Sequence, residues 1–462
     1  MTPLLPLLAG HSPDSILAWR AGEAISAGQY LADVQTLAAQ LPLQGALVNL
    51  CTDRYHFAVG LGAALLRGHA SLLPPNALPA TLTGLRQRHP DLYALSDDAG
   101  LTLPDMPVIR CQAEGRSGGS TGPFPLLPAD QVAATLLTSG STGEPQPHAK
   151  AWGALVTNIS AEAQRLAELL GSNVPAEGTL AGWSLLATVP AQHSYGFESS
   201  VLLAMLSGGA FDAGRPYFPA DIADALARLP RPRALVTTPF HLKTLLAADV
   251  PLPEVDVLLS ATAPLSPQLA RQAEARMGAV LIEIYGCTEA GQVATRRTAA
   301  SEVWQTFGAL RLARHGAGET ERFEVHGGHV TVPTPLSDVL DLVDDRHFRL
   351  LGRANDVINV AGKRSSLAHL NYHLNSIPGV QDGAFWLPDD EPDAVVRPVA
   401  FVVAPELTSR QVIAALRGRV EAVFLPRRVV HVEALPREAT GKLTAQTLRA
   451  FAQARLATTG QS

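Results

Sequence analysis

Leu136-Leu137-Thr138-Ser139-Gly140-Ser141-Thr142-Gly143-Glu144-Pro145 is a glycine- and hydroxyl-rich segment that follows an apolar, strand-like run, Val132 to Leu137. Small side chains let the backbone approach an anion closely, and the N–H groups and hydroxyls can then donate to phosphate oxygens. A plain solvated turn is the alternative for such a cluster. The segment lacks the Gly-Lys-Ser/Thr ending of a Walker P-loop, which argues against an ordinary P-loop kinase or ATPase. A nucleotide phosphate remains a plausible ligand.

The composition limits the compartment and the partners. The chain has 462 residues, 47% of them hydrophobic, and a formal net charge of −6. That length predicts at least two domains, and the charge argues against general binding of nucleic acid. No apolar run is long enough for a transmembrane helix. The N-terminal residues lack a basic leader, so we do not expect a signal peptide. Cys51, Cys111 and Cys287 show no metal-ligand spacing, so we expect reduced thiols in the cytoplasm.

The pattern of apolar segments predicts an α/β fold with two domains. Short apolar strands alternate with amphipathic helices through residues 1–352, which indicates a large layered N-terminal domain. Within it, the alternation of Phe323 to Pro335 predicts a small β-rich subdomain. Strand and helix patterns resume in residues 357–462, where we expect a smaller, mobile α+β C-terminal domain. Residues 353–356 would form the hinge between the two.

Four further segments occur in a defined order along the chain. They are Val189–Gly196 (VPAQHSYG), Ile284–Glu289 (IYGCTE), Leu351–Arg364 (LGRANDVINVAGKR) and Leu435–Leu443 (LPREATGKL). With Leu136–Pro145 they resemble, in order and approximate spacing, the motifs of the adenylate-forming acyl/aryl ligases. That superfamily includes acyl-CoA synthetases, adenylation domains and firefly luciferase. The resemblance runs from Leu136 to Leu443. Before Leu136, only the general pattern of strand-like and helical segments matches.

The resemblance implies a two-step reaction with ATP and Mg²⁺. A carboxylate attacks the α-phosphate, pyrophosphate leaves, and a thiol then attacks the acyl-adenylate. The thiol would come from CoA or from the phosphopantetheine of an acyl carrier protein. The first step needs positive charge and fixed dipoles around the phosphates, and the second needs a site that excludes water.

The resemblance places the triphosphate and the adenine on three segments. The residues that match the phosphate loop are Thr138, Ser139, Gly140, Ser141, Thr142 and Gly143. The lysine common after the proline is Gln146 here, so Lys150 is expected to supply that charge, with an ordinary exposed lysine as the alternative. The residues expected around adenine are Ala261, Thr262 and Ala263, together with the ring of Tyr285 and Gly286. The family usually has glycines at the positions of Ala261 and Thr262.

The ribose and the metal would be held by single side chains. Asp338 lies at the family spacing before Gly352, although the threonine and glycine of the usual Thr-Gly-Asp turn are absent, and Asp341 is the alternative. Arg353 would reach the ribose or a phosphate. Thr288 would donate to the α-phosphate, and Glu289 would hold Mg²⁺, a hard cation suited to carboxylate oxygen.

The resemblance makes Lys442 the catalytic residue of the C-terminal domain. Its ammonium would lie between the carboxylate and the α-phosphate and reduce the repulsion of like charges. Asn355 matches the hinge residue, and Gly362 and Arg364 resemble residues that face the thiol tunnel in the second conformation.

The acid pocket is expected beside the His193 loop, where a histidine lies near the substrate carboxylate in similar aryl-acid ligases and would act as a catalytic group. The candidate lining residues are His193, Tyr195, Phe240, Thr262, Ile284, Gly286, Gly291 and Gln292. The two glycines leave room for a flat ring, and Thr262 or Gln292 is suited to hydrogen-bond a ring hydroxyl. These features favour a hydroxybenzoate-type acid, and the chain looks most similar to hydroxybenzoate ligases of bacterial aryl-polyene or xanthomonadin-type pigment pathways.

Three partner and function questions stay open. Arg417, Arg419, Arg427 and Arg428 are suited to an acidic carrier protein, with a solvated surface as the alternative. A medium- or long-chain fatty acyl-CoA ligase is the alternative within the superfamily. A non-catalytic module that binds nucleotide or carrier protein is the alternative outside it, against which the joint presence of Thr142, Glu289, Arg353 and Lys442 argues.

Overall fold

A computed structural model describes residues 2–74, 76–115, 118–139, 145–171, 179–316, 321–353, 357–360, 363–388, 398–437 and 443–459. The strands are β1 (Leu4–Pro6), β2 (Ile16–Arg20), β3 (Glu23–Ser26), β4 (Ala46–Asn49), β5 (Ser71–Leu73), β6 (Leu92–Ser96), β7 (Val108–Arg110), β8 (Leu126–Pro128), β9 (Val132–Ser139), β10 (Pro145–Ala151), β11 (Ser184–Ala187), β12 (Ala210–Asp212), β13 (Arg233–Thr237), β14 (Val257–Ser260), β15 (Val280–Cys287), β16 (Gly291–Arg296), β17 (Trp304–Thr306), β18 (Arg311–His315), β19 (Arg322–Gly327), β20 (Val330–Leu336), β21 (Asp338–Leu342), β22 (His347–Arg353), β23 (Val357–Val360), β24 (Lys363–Ser366), β25 (Asp382–Trp386), β26 (Val399–Val403) and β27 (Arg428–His431).

The α-helices are α1 (Ala27–Gln40), α2 (Arg54–Arg67), α3 (Pro79–Arg88), α4 (Trp152–Leu170), α5 (Ser194–Gly196), α6 (Leu203–Ser207), α7 (Pro219–Arg228), α8 (Pro239–Ala247), α9 (Pro267–Met277), α10 (Leu367–Asn375), α11 (Ser409–Arg417) and α12 (Ala445–Thr459). A π-helix, Phe197–Leu202, joins α5 to α6, and a 3₁₀-helix spans Ala422–Phe424. Helix starts are locally encoded: Ser26 and Gln29 form a capping box on α1, and Asp53 accepts from two backbone N–H groups of α2.

Two sheets dominate the N-terminal domain. One has six strands in the order β10-β9-β5-β4-β6-β7. The other has eleven, in the order β21-β22-β17-β16-β15-β14-β13-β11-β12-β2-β3. Its central strands β11, β13, β14 and β15 run parallel, and all residues of β11, β13 and β14 are buried. Strands buried on both faces are expected in a parallel sheet that helices cover.

The helix α2 lies between the two sheets. It contacts β4 of the six-stranded sheet and β12 of the eleven-stranded sheet, and every residue from Arg54 to Leu65 is buried. A helix buried on all sides is expected to be mostly apolar, which explains its run of alanine, leucine, glycine and aromatic residues, and its buried Arg54 and His56 are hydrogen-bonded. Side chains of both sheets and of α1, α2 and α4 therefore share one hydrophobic core.

Smaller units complete the chain. The strands β18, β19 and β20 form a three-stranded antiparallel sheet, which is the predicted β-rich subdomain. In the C-terminal region, β23 and β24 form a hairpin, and β25, β26 and β27 form a sheet that packs with α10 and α11 in a separate core. This part is α+β and smaller than the N-terminal domain, as the sequence predicts.

The predicted fold class is confirmed: the protein is α/β, with a large layered N-terminal domain and a smaller C-terminal domain. The hinge bounds stay a prediction, because residues 354–356 lie outside the described part of the chain. Among the described residues, none of the helices combines the length with the apolar character that a membrane-spanning segment needs.

Candidate active site

Topology brings four of the predicted segments to one edge of the larger sheet. The parallel strands β11, β13, β14 and β15 are in register, so their carboxyl ends point the same way. The His193 loop, Phe240, Ala261–Ala263 and the Cys287–Ala290 turn follow these four ends in that order. Ligands of open α/β sheets bind outside the carboxyl ends of the strands. The edge is therefore the candidate active site.

Tyr285 is fixed by an aromatic cluster and by one hydrogen bond. Its ring centroid lies 5.7 Å from that of Trp304 and 5.6 Å from that of Phe348. Its hydroxyl donates to Asp338 Oδ2 at 2.7 Å. In the β21–β22 ladder, Asp338 lies opposite Arg353. The predicted adenine residue and the two predicted ribose residues thus lie together, whereas the alternative, Asp341, pairs with Arg349 at 3.0 Å on the surface.

The predicted adenine loop contains a strained residue. Thr262 has φ +78°, in the left-handed region that a β-branched residue rarely adopts. Ala261 is buried, whereas Thr262 and Ala263 are exposed. A glycine in place of Thr262 would relieve this strain, since glycine adopts positive φ without a steric penalty. The sequence departs from the family pattern here, and the loop keeps the unusual backbone nevertheless.

The turn after β15 collects charged groups. Lys150 Nζ donates to the backbone oxygen of Glu289 at 2.8 Å, and burial lowers the pKa of its ammonium. The Glu289 carboxylate is 43% exposed and lies 3.9 Å from His148 Nε2. Burial raises the pKa of Cys287 to about 12, so its thiol stays protonated. Lys150 thus supports the turn that carries Thr288 and Glu289, and its predicted phosphate contact stays a prediction.

Two glycines shape the same turn. Gly291 has φ +80°, a conformation that favours glycine. A Cβ on Gly286 would clash with the backbone oxygen of Gly291. Both glycines of the predicted acid pocket are therefore required by the local backbone, independently of any ligand.

The His193 loop is anchored by a buried arginine. Arg54 of α2 donates to Ser200 Oγ at 2.6 Å and to the backbone oxygens of Ala187 and Val189. Gln192 Nε2 also donates to the Cys51 oxygen at 2.5 Å. Burial, with the nearby Arg215, lowers the pKa of His193. A neutral imidazole at this position suits a group that accepts or donates hydrogen bonds close to a carboxylate.

A buried polar network lies behind these residues. Glu198 of the π-helix accepts from Ser194 Oγ and from Asn158 Nδ2, each at 2.9 Å. Burial raises the pKa of Glu198, and the charge of Lys150 acts against that rise. Gln292 Nε2 donates to Ser199 Oγ at 2.7 Å. The network joins α4, the π-helix and β16 behind the predicted acid pocket.

Sequence reasoning missed Asn158, Glu162 and Glu198. Asn158 and Glu162 occupy the buried face of α4 together with Leu155, Ile159 and Leu166. Polar residues at the apolar positions of an amphipathic helix are a detectable signal. Glu198 gives a weaker signal, because every residue of its short π-helix is buried and no periodic pattern marks it.

The remaining predicted pocket residues lie where the topology brings the strands together. Ile284 is buried in β15, and Phe240 is half-buried in the first turn of α8. The Phe240 ring contacts that of His241 with centroids 5.6 Å apart. The Tyr195 side chain is buried.

Several predicted residues are outside what the structure describes. Gly140, Ser141, Thr142, Gly143, Asn355, Gly362 and Lys442 lie outside the described residues, and the side chains of Thr138, Ser139, Arg353 and Arg364 do too. Among the residues that are described, no group of three or more His, Cys, Asp or Glu side chains could hold a metal ion. The predicted Mg²⁺ would need only the exposed Glu289 carboxylate and phosphate oxygens, which are suitable hard ligands.

Comparison with known proteins identifies the family. The model of the AMP-binding enzyme family matches residues 63–349, and the model of the AMP-binding enzyme C-terminal domain matches residues 373–442. A 4-coumarate–CoA ligase from Rhodobacter capsulatus is 31% identical over 325 residues, 69% of this chain and 77% of that protein. A 4-coumarate–CoA ligase from Halorhodospira halophila is 33% identical over 248 residues, which cover only 52% of this chain and 56% of that protein.

A solved structure shows the same fold. The o-succinylbenzoate CoA synthetase of Bacillus subtilis, solved with its acyl-adenylate intermediate, superposes with a TM-score of 0.75 at 17% identity. The match covers 97% of this chain and 98% of that one. Family models match both domains, so the chain belongs to the AMP-binding enzyme family and is by class an AMP-forming acid–thiol ligase.

Proposed function

We propose that the protein activates an aryl carboxylic acid of the hydroxybenzoate type with ATP and then transfers the acyl group to a thiol. One observation carries the proposal: the carboxyl ends of β11, β13, β14 and β15 bring the His193 loop, Phe240, Thr262 and Tyr285 to one edge of the sheet. The similarity to 4-coumarate–CoA ligases supports an aromatic acid. A pigment-pathway hydroxybenzoate is the narrower candidate.

The adenylation step assigns a role to each group. Tyr285 would stack on adenine, while Asp338, and Arg353 opposite it in the ladder, would hold the ribose. Thr288 would donate to the α-phosphate, and the residues Thr138 to Gly143 would hold the β- and γ-phosphates. Mg²⁺, when bound through Glu289 and phosphate oxygens, would neutralise charge that develops on the leaving pyrophosphate. His193, neutral at pH 7, would orient the substrate carboxylate.

The C-terminal domain would move between the two half-reactions. In our proposal it turns about Asn355, brings Lys442 to the carboxylate for adenylation, and then presents Gly362 and Arg364 to the thiol. CoA and a carrier protein are both candidate acceptors. The side chains of Arg417, Arg419, Arg427 and Arg428 are exposed, which supports an acidic carrier protein as one candidate. Three free cysteines are consistent with a cytoplasmic enzyme.

The experiment is ATP–pyrophosphate exchange with a panel of benzoates and fatty acids, followed by thiol capture with CoA and with holo carrier protein. We expect the rate of exchange to be higher with hydroxybenzoates than with any fatty acid. Stronger exchange with octanoate would favour a fatty acyl-CoA ligase. No exchange with any acid would contradict the proposed function.

Replacing Lys442 tests the domain motion. Lys442→Ala should lower adenylation about 100-fold or more, because it removes the charge that neutralises the transition state. Thioester formation from chemically prepared acyl-adenylate should change far less. Arg410→Ala, at an exposed position of α11, is the control and should leave both half-reactions unchanged. Equal loss in both half-reactions would contradict the role of Lys442.

A further inference from the structure

Glu162 is a carboxyl group with no exposed surface in the middle of α4. It lies beside Ser199 of the π-helix and Gln292 of β16, with Glu198 nearby. The helix α4 packs against the π-helix and α6. Burial of an acidic side chain at an otherwise apolar position is rare without a partner.

The two carboxyl oxygens of Glu162 and two neighbouring polar atoms lack a hydrogen bond of regular geometry, although Ser199 and Gln292 lie within looser hydrogen-bonding reach of Glu162. No hydrogen bond of regular geometry from any described residue reaches either oxygen of Glu162, the Gln292 Oε1 atom or the Tyr195 hydroxyl. All four atoms are buried. We call Glu162, Tyr195, Ser199 and Gln292 the Glu162 cluster. Several unsatisfied groups at one place in a native core need an explanation, and a ligand that completes their hydrogen bonds is one.

The Glu162 cluster adjoins the proposed acid pocket. Tyr195 follows His193 by two residues, and Gln292 lies in β16, which pairs with β15 next to Gly286. Ser199 belongs to the π-helix, a rare conformation that is frequent at functional sites. Tyr195 and Gln292 are themselves candidate lining residues of the acid pocket, and Ser199 and Glu162 lie beside Gln292, so the cluster borders the proposed pocket.

We propose that the Glu162 cluster recognises a hydrogen-bonding substituent, a ring hydroxyl or amino group, on the aromatic acid. This inference rests on the proposed function and makes Glu162 a specificity-determining residue. The ring substituent of the substrate would bond to Glu162 and Gln292, while the carboxylate of the substrate stays near His193.

The chemistry of the cluster limits the substituent. Burial raises the pKa of Glu162 to about 8, so at pH 7 the group is a neutral carboxylic acid that can donate and accept. A phenol or aniline can do both in return. A second carboxylate on the ring would meet the buried Glu162 and Glu198 and find no described cation except Lys150 near them. Terephthalate should therefore be rejected, and so should unsubstituted benzoate, which leaves the cluster unsatisfied.

The test compares ATP–pyrophosphate exchange by wild type, Glu162→Gln and Glu162→Leu on benzoate, 3- and 4-hydroxybenzoate, 4-aminobenzoate and terephthalate. A hydroxyl- or amino-substituted acid should exceed benzoate at least 100-fold in kcat/KM for wild type, since a site built for a hydroxyl rejects an analogue without one. In Glu162→Leu the ratio should fall about 10- to 100-fold, through loss on the substituted acid alone. Glu162→Gln keeps the shape and should give an intermediate ratio.

Controls separate this inference from the proposed function. Glu168→Gln changes a half-exposed carboxylate on the same helix and should leave all ratios unchanged. Exchange that is equal on benzoate and hydroxybenzoates, or a ratio that survives Glu162→Leu in a folded protein, would overturn the inference and leave the ligase function intact. Glu162→Gln retains the volume of the side chain. If Glu162→Leu does not fold, the ratio is measured in Glu162→Gln instead. No exchange with any acid would overturn both proposals.

Discussion

Two buried carboxylates of this protein, Glu283 and Glu162, have opposite surroundings. Glu283 accepts from Arg296 Nε at 2.7 Å and from Thr298 Oγ1 at 2.6 Å. Glu162 has neighbours but no regular hydrogen bond from any described residue. Burial raises the pKa of both groups, and only Glu283 has a cation in direct contact to oppose it. The comparison separates a carboxylate that holds the fold from one that is available to a ligand.

Arg296, the partner of Glu283, also contacts the C-terminal region. The Arg296 guanidinium lies 4.4 Å from the ring centroid of Trp304 and 5.7 Å from that of Tyr372. Trp304 belongs to the large sheet, whereas Tyr372 belongs to α10 of the C-terminal region. The Arg296 guanidinium thus contacts one aromatic ring of each domain while it pairs with Glu283.

Removing Arg296 should have the largest effect. Arg296→Met leaves Glu283 buried without its cation, which should lower the free energy of unfolding by about 3–5 kcal/mol. Urea unfolding followed by circular dichroism measures this. The neighbouring Arg297→Met removes a half-exposed pair with Glu274 and should lose less than about 1 kcal/mol. Similar small losses for both variants would remove the contrast between the two carboxylates.

The second-largest effect is expected in the pH dependence of the free energy of unfolding, through the ionisation of Glu162. Its pKa is raised from the ordinary 4.5 to about 8, so its contribution to stability is fully present below pH 4.5 and is lost as pH rises towards 8. The loss is at most about 1.4 kcal/mol per pH unit. Glu162→Gln should therefore gain stability relative to wild type between pH 5.5 and 7.5, measured by urea unfolding at both values. Glu168→Gln should show no such trend, and parallel curves for Glu162→Gln would mean that Glu162 is a paired carboxylate.

The smallest effect is expected at Tyr372. Tyr372→Leu removes one aromatic ring from Arg296 and should lower the free energy of unfolding by about 0.5–1 kcal/mol. Tyr372→Phe keeps the ring and deletes a buried hydroxyl that no described residue bonds, so it should be neutral or slightly stabilising. Thermal unfolding of the two variants side by side checks this. A larger loss in Tyr372→Phe than in Tyr372→Leu would show that the hydroxyl, not the ring, matters.

Local patterns predicted the fold class and much of the candidate site. Tyr285, Thr288 and Glu289 form a contiguous motif, and the alternation of strands and helices revealed the layered α/β domain. Asp338 rested on spacing alone, and its hydrogen bond with Tyr285 now favours it over Asp341 as the ribose candidate. Its role stays a prediction, as do those of Lys442 and the phosphate loop.

The features that the sequence did not reveal depend on long-range pairing. The apolar face of α4 marks Glu162 as buried, but its neighbours on the π-helix and β16 cannot be read from the sequence of the helix. The extent of the large sheet is a similar case, because β2 pairs with β12 across almost 200 residues of chain and short strands carry no signal of their partner. Periodicity describes an element, whereas partner choice depends on the whole core.

That long-range pairing has a consequence for biosynthesis. A ribosome releases β2 and β3 early, but the Ser200 hydroxyl that Arg54 binds and the strand β12 that pairs with β2 appear only when synthesis reaches residues 200 and 210–212. Until then the first strands expose an unpaired edge, and the Arg54 guanidinium lacks part of its buried hydrogen bonding. Folding of the N-terminal domain is therefore delayed until nearly half of the protein has been synthesised, and nascent chains shorter than this are the ones most exposed to aggregation and most in need of chaperones.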